Sequence, residues 1–232
     1  MKFAFRYGTL LFLKYLTKLF YKHQIDWRTP SDEISWDDCR LLVFLNHTSL
    51  FEPVFFGAAP NALLKHIARN LIVPIADKTH QRPVAGTLLK LTVPGFVPIT
   101  RKRDESWQKF LDQIGDTHLT AIAPEGRMKR RNGLDKDGQP MDVKPGVVDI
   151  IKRLDQGKIL IIYSGGLHHI QAPGDKMPRL FKRLDVGIEA LDVEDYKAAM
   201  ATGSDNTFRA NIMDDLNRRL STCEASSKSS AA

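Results

Sequence analysis

From Cys39 onward, short apolar runs alternate with amphipathic stretches, and this alternation is the chain's main structural signal. Runs at Cys39–Leu45, Leu71–Ile75, Phe96–Thr100, His118–Ala123 and Lys158–Ser164 read as strands bounded by polar or turn residues. Between them, segments after Ser49 and over Gly86–Leu91, Asp104–Ile114 and Val147–Leu154 read as helices. Strands alternating with helices predict an α/β fold, a single domain on a central, mostly covered mixed sheet flanked by helices. The strands are apolar almost throughout, the pattern of strands buried on both faces. Residues 131–142, rich in Gly, Asp, Asn and Lys, predict an exposed loop, and residues 221–232, small and polar, a disordered tail.

The amino terminus is patterned differently. On a wheel of about 100° per residue, Phe5, Phe12, Leu13, Leu16, Leu19 and Phe20 share one face. Arg6, Lys14, Lys18 and Lys22 fall opposite, with Tyr7, Leu10 and Leu11 among them. The apolar stretch Tyr7–Leu13 is too short to cross a bilayer, which takes about 20 residues, and no small-residue cleavage site follows it. An amphipathic helix with a mostly cationic back suits the headgroup region of a membrane. An ordinary helix packed on its own domain fits the same pattern, and the two are compatible if one end packs and the other meets lipid. The expected organisation is therefore a membrane-associating helix over 1–30, a domain over 31–220 and a tail over 221–232.

At 232 residues the chain can bury one sizeable core, and its 43% hydrophobic and 26% charged residues are those of a folded protein. A formal net charge of +7 admits nucleic acid, an anionic membrane surface or a phosphorylated substrate as partner. The cations gather at strand ends and on the terminal helix among apolar residues, which argues against nucleic acid. Cys39 and Cys223 are the only cysteines, so a disulfide framework and a cysteine zinc site are poor readings.

Candidate chemistry begins at Asn46-His47-Thr48-Ser49-Leu50-Phe51-Glu52-Pro53. A histidine at the end of a buried strand, with a carboxylate five residues on, can act as a general base with an orienting anion. Ser49-Leu50-Phe51-Glu52 is also a capping box, which would give Glu52 a purely local task. Gly95 to Arg103 is a strand ending in Arg101-Lys102-Arg103, a compact anion site or a solvated cluster. Pro124-Glu125-Gly126-Arg127-Met128-Lys129 sets a carboxylate at a strand end beside a glycine with cations behind it. Lys144-Pro145-Gly146 opens a helix whose free amides could hold an anion. His168-His169 lacks the spacing of a helical metal pair, and no metal site is evident. Ser164-Gly165-Gly166 reads as a strand-end turn.

In order and spacing these segments resemble the four blocks of the glycerolipid acyltransferase superfamily, typified by lysophosphatidic acid acyltransferases. The resemblance covers about residues 36–170. Asn46-His47-x4-Glu52 is similar to the first block, with glutamate for the usual aspartate, and Gly95 through Arg101 to the second. Ala123 through Lys129 keeps Pro124, Glu125 and Gly126 of the third, with Met128 where its arginine would stand. The fourth, Ile159 to Tyr163, lacks the usual proline. The resemblance implies an O-acyltransferase in phospholipid biosynthesis, acting on a lysophospholipid such as 1-acyl-sn-glycerol-3-phosphate. It implies His47 as general base and Glu52 as its partner. Asn46, Arg101, Glu125 and Gly126 would serve acceptor binding, with Arg127 or Lys129 replacing the third-block arginine. Acyl-CoA or acyl-carrier protein would be co-substrate, no further cofactor is implied, and the protein would lie on the cytoplasmic face of a membrane as a peripheral or monotopic protein. A catalytically weak or inactive lipid-phosphate-binding protein on the same scaffold is the alternative.

Overall fold

The computed structural model describes residues 2–49, 51–76, 87, 91–100 and 103–229. Among these, seven strands form one mixed sheet in the order β1-β7-β6-β2-β5-β3-β4. The strands are β1 (Lys22–Trp27), β2 (Cys39–Leu45), β3 (Leu71–Ala76), β4 (Gly95–Ile99), β5 (Leu119–Ile122), β6 (Lys158–Ser164) and β7 (Arg183–Asp192). The β6–β7 pairing is antiparallel and the others are parallel. Strands β2 to β6 therefore share a direction, and their carboxyl ends lie along one edge, where open α/β sheets collect ligand-binding residues.

The helices are α1 (Lys2–Phe20), α2 (Asn61–Asn70), α3 (Glu105–Leu111), α4 (Gly146–Arg153), α5 (Val193–Met200) and α6 (Asp205–Ser229). Side chains alternate across a strand, so β2 serves two cores. Leu41, Val43 and Leu45 pack with Phe110 of α3, Ile150 and Ile151 of α4 and Leu216 of α6. Leu42 turns the other way, to Leu10 of α1 and Leu64 and Ile67 of α2. β6 divides likewise, Ile159 and Ile161 to one side, Leu160 and Ile162 to the other. Caps set helix starts: Asp104 accepts from the Ser106 amide ahead of α3, and Asp192 from Glu194 and Asp195 ahead of α5.

The α/β single domain with a mixed, covered sheet is as expected, and several boundaries are not. The first helix stops at Phe20, and Lys22–Trp27 is an edge strand in register with Arg183–Ile188, so 1–30 is not one helical segment. Half-buried His23, Ile25 and Trp27 alternate with exposed neighbours, the period-two signature of a strand. Residues 221–229 are not a disordered tail. Helix α6 runs through Ser229, with Ile212, Leu216, Leu220 and Cys223 forming one buried stripe. The helix expected after Ser49 is a 3-10 turn, Glu52–Gly57, followed by α2. Of Gly86–Leu91, only Thr87 and Leu91 belong to the described residues.

Helix α1 presents its faces in an unexpected sense. The side assigned to cations packs inward: Leu10, Lys14 and Thr17 are buried, and the Lys14 ammonium donates to Asn61 Oδ1 at 2.7 Å. Burial, reinforced by nearby Lys18, lowers the Lys14 pKa. The opposite side leaves Phe5, Phe12, Tyr15, Leu16 and Leu19 exposed. Among the described residues no helix is long and apolar enough to cross a membrane.

Candidate active site

At the end of β2 the chain turns sharply at Asn46, whose φ of 67° is in the left-handed region that asparagine tolerates better than most residues. Its backbone N–H donates to Glu125 Oε1 at 2.7 Å, and its Nδ2 donates to the Ser164 carbonyl at 3.0 Å. The ends of β2, β5 and β6 are thus tied together at one residue. Asn46 is 4% exposed, and both of these bonds hold the turn.

His47 follows. Its carbonyl accepts from the Lys129 N–H at 2.8 Å, and its Nδ1 meets Glu52 Oε1 at 2.6 Å. Side-chain exposures of 18% and 19% leave part of the pair open to solvent. The capping alternative is not what forms: Ser49 Oγ accepts from the Phe51 N–H at 3.1 Å, while Glu52 opens the 3-10 turn with Pro53 behind it and spends its carboxylate on His47. Burial disfavours charge on His47, but the Glu52 carboxylate, its hydrogen bond and the charge of Glu125 outweigh it, and the His47 pKa is raised.

The Glu52 turn is clamped from the amino-terminal side. His23 Nε2 hydrogen-bonds the Val54 carbonyl at 2.9 Å, and the rings of Tyr21 and Phe51 meet edge-on at 6.0 Å. The approach is so close that a Cβ on Gly57 would stand 2.2 Å from the His23 ring.

Glu125 is buried, 1% exposed, and burial raises its pKa against the Asn46 amide that favours the anion. Its Oε2 is buried without a hydrogen-bond partner. Gly126, at φ 71°, closes a turn through its N–H to the Ala123 carbonyl at 3.0 Å, and the Lys144 N–H ties that turn to the start of α4 through the Pro124 carbonyl at 2.9 Å. The guanidinium of Arg127 is engaged by Asp135 and, at 2.5 Å, by Asp137. Arg127, expected with Lys129 as a stand-in for the third-block arginine, is here paired with two acids of the loop that follows. Lys129 is buried, 6% exposed. Arg101 and Lys102 lie outside the described residues, whereas Arg103 donates to Asp149 of α4 at 2.5 Å.

The segment after β6 contributes support that the sequence reading missed. Thr48 Oγ1 accepts from the Leu167 N–H at 2.7 Å, and His168 Nε2 hydrogen-bonds the Lys129 carbonyl at 2.7 Å. Gly166 has φ 82°, and a Cβ there would stand 3.3 Å from Asn46 Nδ2. The adjacent glycines were the available signal. His169 bonds the Arg183 carbonyl at 2.7 Å. Among the described residues no group of three or more His, Cys, Asp or Glu is placed to hold a metal ion.

The arrangement is a histidine at a strand end with its Nδ1 held by a carboxylate. The family model described as Acyltransferase matches residues 30–164, a span that includes the His47–Glu52 pair and the Pro124-Glu125-Gly126 turn. No curated protein matches the chain. Among solved structures, the 1-acyl-sn-glycerophosphate acyltransferase PlsC from Thermotoga maritima is similar. Its TM-score is 0.54 at 17% identity, over 92% of this chain and 79% of that one. At that identity the likeness speaks to the fold.

Proposed function

We propose, from the premise that this chain belongs to the acyltransferase family, that it transfers an acyl group from a thioester to the hydroxyl of a lysophospholipid, with 1-acyl-sn-glycerol-3-phosphate as the leading acceptor. The observation that carries this reading is the 2.6 Å bond from His47 Nδ1 to Glu52 at the carboxyl edge of the sheet. With Nδ1–H donated to the carboxylate, Nε2 holds the lone pair and is the base. It takes the hydroxyl proton as the acceptor oxygen bonds to the thioester carbonyl carbon. Collapse of the tetrahedral intermediate breaks the C–S bond, and the imidazolium returns its proton to the leaving thiolate of acyl-CoA or acyl-carrier protein. No acyl-enzyme is required, because the acceptor hydroxyl is itself the nucleophile.

The acceptor phosphate falls to Arg101, which follows β4 in sequence. Glu125 and Gly126 act chiefly by holding the Asn46–His47 turn. The outward apolar face of α1 rests in the headgroup region at the cytoplasmic face of a membrane, which brings a lipid-borne acceptor to the site. A silent lipid-phosphate binder on this scaffold is favoured by one observation, the pairing of Arg127 with Asp135 and Asp137. The intact His47–Glu52 bond outweighs it.

The test is acyl transfer to a panel of lysophospholipids from both thioester donors, comparing wild type with His47→Ala. General-base loss predicts a fall of about 10²–10⁴-fold with an unchanged circular-dichroism spectrum. Transfer within a few-fold of wild type would refute the assignment. Head-group binding without turnover in the wild type would favour the silent binder.

A further inference from the structure

The exposed large hydrophobic side chains among the described residues fall in two places. Phe5, Phe12, Tyr15, Leu16 and Leu19 line the outward side of α1, and Met177, Leu180 and Phe181 occupy the loop before β7. The two places are joined. The Phe181 N–H donates to the Phe20 carbonyl at the end of α1, at 2.8 Å, and the two rings meet at 5.9 Å. Phe181 has a φ of 60°, a left-handed backbone that bulky residues rarely adopt, yet it remains 76% exposed. The fold holds a strained aromatic residue where burial within the protein does little to offset the strain. Lys18 on α1, Lys22 at the start of β1, and Lys176, Arg179 and Lys182 around the loop are exposed beside them.

We propose that the loop from Met177 to Phe181 is a second membrane-inserting element, docking with α1 on a bilayer containing anionic phospholipid. The proposal rests on the reading that α1 lies on a membrane. A single interfacial helix can roll about its own axis, whereas a second apolar contact off that axis fixes the rotation. The neighbouring cations then meet the lipid phosphates while the rings enter the acyl boundary. The loop belongs to the segment that braces the catalytic pair. Leu167 holds Thr48, His168 holds the Lys129 carbonyl, and the Arg179 N–H donates to the Ile170 carbonyl at 2.8 Å. Insertion there fixes the height of His47 above the lipid surface.

The experiment is flotation of the full chain with phosphatidylcholine vesicles with and without phosphatidylglycerol, together with thermal unfolding and sedimentation velocity. The variants are Phe181→Gly, the double Met177→Ser/Leu180→Ser, and Phe12→Ser/Leu19→Ser on α1. Phe181→Gly should weaken partitioning into anionic vesicles by roughly ten-fold, about the worth of one inserted aromatic side chain. Its unfolding midpoint should not fall, because glycine adopts the left-handed backbone freely. The double loop variant should weaken partitioning similarly. If both loop variants partition within two-fold of wild type while the α1 variant is released, the loop inference is overturned and the α1 reading stands. If the wild type itself ignores every vesicle, both fall. If the loop variants change self-association instead of partitioning, the surface meets a second copy of the chain, and the inference is again overturned.

Discussion

Replacing Glu52 tests the site most directly. Glu52→Gln keeps the size of the side chain and removes its charge, turning a charge-assisted hydrogen bond of 2.6 Å into a neutral one. Bonds to charged groups contribute about 1.5–3 kcal/mol and neutral ones about 0.5–1.5 kcal/mol, so the exchange removes about 1–1.5 kcal/mol and should lower kcat/KM by about 5- to 13-fold. The pH profile gives a second readout. Glu52 is the main influence raising the His47 pKa against burial. The acid limb of kcat/KM in the wild type should therefore lie above the ordinary histidine range, near 6.5, and move to lower pH in Glu52→Gln. Stability has the opposite sign. Because the folded His47 pKa is raised, its stabilising contribution is fully present below about 6.5 and is lost as pH rises through the folded value. Wild type should gain activity and lose this increment over the same window, and Glu52→Gln should flatten both. Glu52→Asp probes length. A side chain shorter by about 1.5 Å cannot keep the contact unless the backbone follows, and the His23–Val54 hydrogen bond pins that backbone. A loss of about ten-fold is expected, within the range for a charge-assisted bond. Stopped assays across pH 5–9 with a saturating thioester decide it. A Glu52→Gln enzyme within two-fold of wild type, with an unmoved acid limb, would refute the dyad.

Other parts of the structure yield separate expectations. Gly57→Ala places a Cβ 2.2 Å from the His23 ring and 2.8 Å from Thr17 Oγ1, so the clamp on the Glu52 turn must open. A stability loss of about 1–3 kcal/mol, with a larger fall in kcat than in substrate affinity, should appear in paired melts and kinetics, and an unchanged kcat would dissociate the clamp from the catalytic pair. Arg219 bonds Glu189 Oε2 at 2.6 Å, and Tyr163 Oη and Asp215 Oδ2 at 2.7 Å each, fastening α6 to β6 and β7. Arg219→Leu removes the cation shared by Glu189, which keeps Tyr163 as a partner, and Asp215, which keeps Tyr196 and Arg218, and should destabilise by about 1–3 kcal/mol. A denaturant midpoint shift worth less than about 1 kcal/mol would show that the network is solvated.

How much was legible depended on whether the signal was local. Strands β2 and β6 have the bounds their apolar runs predicted, because a strand covered on both faces must be apolar along its length. The sequence pattern predicts a helix where the edge strand β1 lies and no strand at β7. Half-buried and exposed residues alternate in β1, where Lys22 opens the strand, and in β7 Arg183, Asp185 and Glu189 interrupt the apolar run. Helix α6 hid for a related reason, since its one buried stripe is set among many polar residues.

The site divides in the same way. Read alone, the chain shows His47, Glu52 and the Pro-Glu-Gly turn in an order that resembles the acyltransferase blocks, because residue type and spacing along one strand end are properties of local sequence. What each residue does there came from contacts across the fold. Asn46 holds its turn because Ser164 and Glu125, 118 and 79 positions away in sequence, meet it in space. Arg127 is committed because loop 131–142 folds back with Asp135 and Asp137. Even α1, whose amphipathic pattern was plain, needed the packed domain to choose which side turned inward. The Glu52 turn and α2 pack against α1, and Leu10, Lys14 and Thr17 are the residues buried.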